Sequence, residues 1–424
     1  MINNIRNCIM SNWKKGSLHC HTLWSDGRSL PEMAIKSYLD DGYDFVCLTD
    51  HNTLQNYDDL WIEARFNPDV WPQMLTYEEW DRTQEAVPGL SPMRHVGFHH
   101  YVRLRTMEEL RKHFQRENEF LLIGGEEITL SAPNEEYGGR EIQCHMNCFN
   151  LEEHFSFPKY PNVNELFDAM VNAYEKAAEK ATGTTYLMLN HPFWMYWDVD
   201  PQLLLDHTTI RVMEVCNSDR DRNAPAAPIM TPRQYWDFVL AHRIDRGQDI
   251  VYATATDDAH FYSDDFKRKN GYYGTGFVMV NCPDKFTPDA IGDAILRGDF
   301  YASCGVLMDS IEFDKATRTL TVKAQTEPGL KYHIEFITTK RDFDRTIRKE
   351  EYIDPEGKFS RRLTVIPEGI GQTVKTVEGA EGSYTMAEDD LYVRAVVHSD
   401  RPGRIDNPLF YPANECAWIQ PFLP

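Results

Sequence analysis

Three absences in the sequence exclude broad classes of protein. No apolar run approaches the roughly 20 residues that a membrane-spanning helix requires. The first segment, MINNIRNCIMSNWKKGS, lacks an apolar stretch of signal-peptide length, so we expect a cytoplasmic protein without a membrane partner. Basic residues are scarce, with 44 Lys and Arg against 66 Asp and Glu and a net charge of −22. We therefore expect no nucleic-acid partner, because phosphate backbones require clustered cations, whereas a small anionic substrate is compatible with this charge.

Paired cysteines are absent as well. The chain has nine cysteines, an odd number, and no two of them are spaced as CxxC. Several lie in apolar runs typical of strands, where cysteine usually serves as a small core residue. We therefore expect neither a disulfide framework nor a soft-metal site from them. The nine are Cys8, Cys20, Cys47, Cys144, Cys148, Cys216, Cys282, Cys304 and Cys416.

Short apolar runs, each followed by polar residues, recur along the first part of the chain. Helix patterns separate several of them, such as SLPEMAIKSYLDDG with Ser29 as a candidate N-cap and TPRQYWDFVLAHRIDRG, which opens at Thr231. Alternating strands and helices predict a parallel sheet, and polar residues at strand ends predict a barrel with its site at that rim. We predict an α/β fold in which residues 14–304 form a distorted (β/α)7 barrel. The seven runs are 17–22, 44–51, 120–129, 142–149, 185–192, 210–217 and 249–260.

Two segments depart from this alternation. Residues 53–119 are too long for one connection and include RHVGFHH, which predicts an insertion forming a lid or wall. From 305 to 424 apolar residues follow a period of two, as at Leu391, Val393 and Ala395, which predicts a small antiparallel β-sandwich. Two domains also suit a chain of 424 residues. Polar and core residues alternate in the second domain as on sheet surfaces, so we expect no metal ligand from it.

Histidine and carboxylate side chains gather at the ends of the predicted strands. HCH at 19–21 places two imidazoles on one face of an extended chain, and Asp26 and His51 follow it in SDG and LTDHN. GGEEIT supplies adjacent carboxylates, and a glutamate at a strand tip can bridge two cations with its two oxygens. Any one of these residues alone is as easily a buried side chain satisfied by the backbone. Their recurrence from strand to strand indicates a metal site, with further candidates at His145, His191, Asp258 and His260.

The ordered set HxHT, SDG, TDHNT, GxEI, a lone His, HP and DAH resembles the PHP (polymerase and histidinol phosphatase) family of metal-dependent phosphoesterases, over about residues 17–300. The resemblance implies a trinuclear centre, and we expect the protein to hold two to three divalent ions. Zinc, iron and manganese all suit these ligands, and ligand type does not choose among them. It makes Glu127, rather than Glu126, the bridging ligand. The implied ligand sets are His19, His21, Glu127 and Asp258 for one metal, Glu127, His145 and His191 for a second, and Asp26, His51 and His260 for a third.

The reaction implied by the resemblance is hydrolysis of a small phosphorylated metabolite through a metal-bridging hydroxide, with Glu127, Asp258 and His191 as catalytic residues. The C-terminal segment, with YVRAVV and CAWIQPF, is similar to tails in a branch that includes carbamate hydrolases, so ester, amide or carbamate hydrolysis is an alternative. A metal-dependent binding protein without turnover is a third reading, which a complete ligand set disfavours.

Residues beyond the ligands are harder to assign from sequence. Asp50 and Asn52 flank His51 and are candidates for orienting it, although a capping role explains Asn52 equally well. A phosphate substrate should meet donors near the strand ends, although each candidate cation is equally explained as a solvated loop charge. The substrate-binding candidates are Arg28, His99, His100, Arg220 and Lys269.

Overall fold

A computed structural model describes residues 13–424 apart from 66–74, 194–197, 219–229, 265–266, 268–270, 283–284, 354–359 and 405–411. Strands and helices alternate up to residue 303, and strands alone follow among the described residues. The chain therefore has the mixed α/β organisation that the sequence predicts. The structure adds one large sheet of 13 strands, which the sequence does not predict. None of the described helices combines the length and the apolar character that crossing a bilayer requires.

The first part of the chain contains thirteen of the described strands and all seven described helices. The strands are β1 (Trp13–Ser17), β2 (Phe45–Leu48), β3 (Trp61–Arg65), β4 (Leu75–Thr76), β5 (Met93–Val96), β6 (His99–Arg103), β7 (Leu121–Asn134), β8 (Arg140–Phe149), β9 (Tyr186–Leu189), β10 (Val212–Asn217), β11 (Tyr252–Thr256), β12 (Phe277–Asn281) and β13 (Phe300–Ser303). The helices are α1 (Pro31–Asp40), α2 (Tyr77–Ala86), α3 (Met107–Phe114), α4 (Val163–Ala178), α5 (Pro201–Asp206), α6 (Pro232–Asp245) and α7 (Pro288–Arg297).

The order of strands in the large sheet begins β11-β10-β9-β8-β7-β2-β1-β12-β13. Neighbours β1, β2 and β7 are parallel, as are β9, β10 and β11. The segments that follow β1 and β11 also meet, because Cys20 and Ala259 form a parallel bridge and the amide of His21 donates to the carbonyl of Ala259 over 2.8 Å. The ends of strands distant in the chain are thereby brought to one rim of the sheet.

The series departs from the parallel arrangement that the alternation predicts at β12, which pairs antiparallel with β1 and β13, and also at β8. β8 pairs antiparallel with both β7 and β9. The turn between β7 and β8 spans only 135–139, which is far too short for the crossover that a parallel neighbour needs. Gly138 and Gly139 have φ values of 66° and 76°, a conformation that glycine adopts without steric cost.

Helix boundaries follow local capping chemistry. α6 begins at Pro232 after Thr231, and Thr231 and Gln234 form the reciprocal bonds of a capping box, as the sequence predicts. α1 also begins with proline, but Leu30 takes the N-cap position and makes no side-chain bond there. The assignment of Ser29 as that cap is therefore wrong, because Pro31 at the first helical position sets the boundary one residue later.

The long segment 53–119 holds two different structures. β3 to β6 form a separate sheet in the order β4-β3-β6-β5. Its buried residues Ala64 and Val102 share a core with Leu23 and Trp24, which belong to the loop after β1. α3, in contrast, packs with α1 and β2 as the regular helix between β2 and β7. The inserted sheet is therefore anchored to the loop that carries Asp26.

The last part of the chain forms two packed layers of strands. β14, β15 and β20 make one sheet, while β16, β19, β21 and β22 extend the large sheet beyond β13. Leu320 and Val322 of the first layer share a core with Ile334 and Phe336 of the second. The strands are β14 (Met308–Asp314), β15 (Thr319–Ala324), β16 (Tyr332–Thr338), β17 (Arg348–Ile353), β18 (Ser360–Val365), β19 (Gln372–Glu378), β20 (Glu381–Thr385), β21 (Val393–Pro402) and β22 (Asn414–Phe422).

A buried ion pair joins α6 to β21. The carboxylate of Asp237 accepts a hydrogen bond from Nε of Arg394 over 2.6 Å and another from the hydroxyl of Tyr392 over 2.8 Å. All three side chains are buried, and the Arg394 guanidinium lies 4.6 Å from the ring centre of Trp236. Removing one partner of a buried pair typically costs about 3–5 kcal/mol, because the other charge is left uncompensated. The two parts of the chain are therefore held together by a specific contact.

Candidate metal centre

The side chains that the sequence nominates as metal ligands lie together at the rim where the strand ends meet. They comprise six imidazoles and three carboxylates, of which six are buried and three, Asp26, His51 and His260, are partly exposed. They come from the segments that follow β1, β2, β9 and β11 and from within β7 and β8. The nine are His19, His21, Asp26, His51, Glu127, His145, His191, Asp258 and His260.

Both oxygens of Glu127 face imidazoles. Oε1 lies 3.0 Å from Nδ1 of His145 and 3.3 Å from Nε2 of His19. Oε2 lies 2.8 Å from Nδ1 of His51 and 3.3 Å from Nε2 of His21. This carboxylate is therefore placed to interact with two neighbouring cations at once.

Glu126 points the other way, as strand alternation requires. Its Oε2 lies 2.9 Å from Nδ1 of His154, which does not belong to the cluster. Burial raises the pKa of Glu126, against the opposing effect of His154. The adjacent pair thus has the register predicted from the sequence, with Glu127 inward and Glu126 outward.

The two aspartates occupy different parts of the cluster. Oδ1 of Asp258 lies 3.0 Å from Nε2 of His21 and 3.2 Å from Nε2 of His19. Asp258 has a φ of 48°, an uncommon conformation for a non-glycine residue and one that is often associated with functional sites. Oδ1 of Asp26 lies 3.3 Å from Nε2 of His260 and 3.5 Å from Nε2 of His51.

Within the cluster, ligand atoms that lie within 4.8 Å of one another form four overlapping groups. These groups share most members with the three ligand sets that the family resemblance implies, but they are not identical to them. His191 lies with His19 and Asp258, and His51 is shared between two groups. The four groups are His21, Asp26, His51 and His260; His19, His21 and Glu127; His19, His191 and Asp258; and His51, Glu127 and His145.

The electrostatics of the cluster suit cations. Burial opposes ionisation of Glu127, but the neighbouring imidazoles outweigh it and hold the pKa of this carboxyl well below its usual range. The pKa of Asp258 is likewise held low, because His19 and His21 outweigh its burial. Among the described residues, Oδ1 of Asp26, Oε2 of Glu127 and Oδ1 of Asp258 accept no well-formed hydrogen bond, although imidazole nitrogens lie close to them. Converging nitrogen and oxygen ligands of this kind suit Zn, Fe or Mn.

No family model matches the chain. No curated protein matches it either. Among solved structures, it is similar to a two-domain protein from Bacteroides vulgatus that contains a predicted PHP-like metal-dependent phosphoesterase, with 15% identity, a TM-score of 0.40 and 99% of each chain covered. It is also similar to a protein from Bifidobacterium adolescentis with a proposed metal-dependent phosphoesterase activity, with 13% identity, a TM-score of 0.33 and coverage of 66% of this chain and 96% of the other. Such values carry no weight for function, which has to be inferred from the side chains themselves.

One buried carboxylate behind the cluster was not identified from the sequence. Oε1 of Glu214 lies 2.7 Å from Nδ1 of His19 and accepts a hydrogen bond from the Thr256 hydroxyl over 2.6 Å. Oε2 accepts from the amide of His191 over 2.7 Å. The sequence does contain a signal for Glu214, because it is a glutamate within the apolar run VMEVCN and a buried charge needs a partner. Glu214 therefore fixes the orientation of His19, leaving its Nε2 directed at the cluster.

Replacing Glu214 with Gln should weaken metal binding at the candidate centre, and any hydrolytic activity that depends on it, by about 10–100-fold, the usual effect of losing a partner that orients a ligand. The amide has nearly the same shape but no charge, so it supports the His19 ring less well. Elemental analysis and steady-state rates measure the effect, and Glu312→Gln on an exposed strand position is the control. Unchanged metal content and rate in Glu214→Gln would contradict a positioning role.

The two residues that flank His51 fix backbone segments. Asp50 accepts from the amide of Thr22 over 2.7 Å and from the hydroxyl of Ser25 over 2.8 Å, which holds the loop that leads to Asp26. The Asn52 side chain exchanges two 2.9 Å hydrogen bonds with the backbone of Thr129. Asp50 and Asn52 therefore position the segments that carry the cluster.

A cavity of about 350 Å³ opens beside the cluster. Arg28, Thr129, Gln143 and Phe261 line it together with cluster residues. A larger cavity of about 920 Å³ lies elsewhere, and none of the nine cluster residues lines it. We therefore place the candidate substrate site at the smaller cavity, where the converging ligands are.

Arg28 is the one substrate-binding candidate that the described residues place at this cavity. His99 and His100 lie on β6 in the inserted sheet and do not line it, and His99 is exposed and paired with Glu63. Arg220 and Lys269 lie outside the described residues.

Proposed function

We propose that this chain is a metal-dependent hydrolase of the PHP type that cleaves a phosphoester of a small anionic metabolite. The observation that carries the proposal is the convergence of six imidazoles and three carboxylates beside a cavity of about 350 Å³. Structural roles alone rarely gather so many titratable groups, since buried charges are costly unless they are paired or bind metal.

The proposal includes a fold and a division of the chain. Residues 14–304 would form a distorted (β/α)7 barrel, and residues 305–424 a β-sandwich of the kind found in the branch with carbamate hydrolases. The bridge between Cys20 and Ala259 supports closure of the first part. The core shared by two layers of strands supports the sandwich.

Two to three divalent cations would be held by the nine clustered residues. Bound close together, such ions acidify water and polarise the oxygens of a phosphoryl or acyl group. Glu127 offers an oxygen to each side of the cluster and would hold neighbouring ions together. Asp258 and His191 lie at the wall of the cavity and would orient the reacting group from there.

Arg28 favours a phosphate over a neutral ester as the group that enters the cavity. Its guanidinium lies 5.7 Å from the ring centre of Phe261, at the cavity wall. Guanidinium donors match phosphate oxygens in charge and geometry, whereas an uncharged ester or amide gains little from them.

The test compares p-nitrophenyl phosphate, bis-p-nitrophenyl phosphate and p-nitrophenyl acetate with metal-replete protein. We expect turnover of the phosphates, and a KM for p-nitrophenyl phosphate at least about tenfold higher in Arg28→Gln, because a hydrogen bond to a charged group contributes about 1.5–3 kcal/mol. The rate of p-nitrophenyl acetate hydrolysis should be the same in Arg28→Gln as in the unaltered protein. Arg297→Gln, at an exposed position, is the control. Turnover of acetate alone would favour the ester, amide or carbamate alternative. Metal binding without any turnover would favour a binding protein.

A further inference from the structure

A second group of ligand-type side chains lies on the sheet of β16 and β21, away from the cluster described above. Along β16, Ile334 and Phe336 face the core between the two layers, so His333 and Glu335 occupy the opposite face. The antiparallel register places His398 of β21 directly opposite His333. Their rings are stacked, with centres 4.5 Å apart and planes 9° from parallel.

The three side chains are close enough to share one ion. Nε2 of His398 lies 3.6 Å from Oε2 of Glu335, and one ligand atom from each of His333, Glu335 and His398 lies within 4.8 Å of the others. Ligand distances of about 2.0–2.1 Å around zinc place neighbouring ligand atoms roughly 3.3 Å apart, which small rotations of these side chains would reach. The site is sheltered, with the His398 and Glu335 side chains 19% and 25% exposed.

The surroundings show what an ion would compete with. Nη2 of Arg233 lies 2.8 Å from Oε2 of Glu335. Arg233 is in the first turn of α6, where the helix dipole disfavours a positive charge. Among the described residues, Nε2 of His398 is buried from solvent and forms no well-formed hydrogen bond, although it lies 3.6 Å from Oε2 of Glu335. An ion bound between Glu335 and His398 would therefore compete with the guanidinium of Arg233 for the carboxylate.

We propose that His333, Glu335 and His398 bind a single divalent ion of the zinc type, independently of the centre at the strand ends. Two imidazoles and one carboxylate are a common ligand set for such an ion and leave a further position for water. The proposal departs from our expectation that residues 305–424 supply no metal ligand. Strand alternation predicted a polar face there, but the sequence does not reveal that His333 lies opposite His398.

The test strips the protein of metal with a chelator and titrates it with Zn²⁺ against a chromophoric chelator, counting the ions bound per chain. We expect the unaltered protein to bind one ion per chain more than the double variant His333→Ala/His398→Ala. His207→Ala is the matched control, because this imidazole also lies beside a carboxylate, 3.0 Å from Oδ1 of Asp168, and no group of three ligand-type side chains in the described part of the chain includes it. It should keep the additional ion.

Two single variants should shift the affinity in opposite directions. Glu335→Gln should weaken binding of the additional ion at least about tenfold, since even a partner behind a ligand is commonly worth 10–100-fold. Arg233→Gln should strengthen it about tenfold, because the guanidinium no longer competes for the carboxylate. Circular dichroism and the metal content of the first centre establish that each variant is folded.

The site is refuted if the unaltered protein takes up no additional ion or if the double variant binds it as tightly. Weaker binding in Arg233→Gln would also overturn the proposed competition. The titration involves no substrate, so the outcome is independent of whether the protein hydrolyses phosphoesters.

Discussion

Glu127→Gln is expected to lower the rate of hydrolysis by at least about 10² and to reduce the number of bound metal ions. Gln keeps the shape of the side chain but removes the negative charge, and one of its two terminal atoms becomes an NH₂ donor that cannot ligate a cation. In the present structure both of those positions face imidazoles, at 2.8 to 3.5 Å. Elemental analysis and kcat of the purified variant measure the effect.

Glu126→Gln is the matched control, since it makes the same chemical change one residue earlier. Its side chain contacts His154 outside the cluster, so the variant should keep its metal and lose about tenfold in rate or less. The reverse pattern, with an empty site in Glu126→Gln and an active, metallated Glu127→Gln, would show that the proposed role of Glu127 is wrong.

Removing the metal should abolish hydrolysis and destabilise the protein. Purified protein is expected to contain two to three ions per chain at the strand-end cluster, and a strong chelator should reduce both the activity and the melting temperature. The physical reason is that converging carboxylates lose their counter-ions while they remain buried.

The ion count at the cluster should be made on His333→Ala/His398→Ala as well as on the unaltered protein, so that the additional site does not inflate it. Adding back Zn²⁺, Mn²⁺ or Fe²⁺ separately identifies the metal that restores activity. Less than one ion per chain in unchelated protein would contradict a metal centre of this size.

Much of the candidate site was predictable because its residues lie near strand ends. Each of the seven predicted runs contains or adjoins an observed strand, although β1 ends at Ser17 and the HCH motif lies just beyond it. The inward position of Glu127 followed from side-chain alternation along β7. The positions of the strands follow from apolar periodicity, and the start of α6 follows from the capping residue Thr231. Both signals are local in the sequence.

Features that depend on contacts distant in sequence were not predictable in the same way. The direction of β8 depends on the tight turn before it, which periodicity alone does not reveal. The partners of Glu214 come from β11 and from the segments after β1 and β9, so its role is visible only when these are assembled. The pairing of His333 with His398 likewise depends on strand register.

The antiparallel pairing of β13 with β22 constrains the order in which the protein can fold during synthesis. β13 ends at Ser303, but its sheet partner begins only at Asn414. Until that strand emerges from the ribosome, β13 presents an unpaired edge open to association with other chains. The carboxylate of Asp237 likewise lacks its ion-pair partner Arg394 until β21 has been synthesised. The part of the chain that carries the candidate metal centre is encoded first, but it completes its sheet only after translation has passed β22. A cut after residue 304 would leave it with an open strand edge at β13 and would leave Asp237 without Arg394.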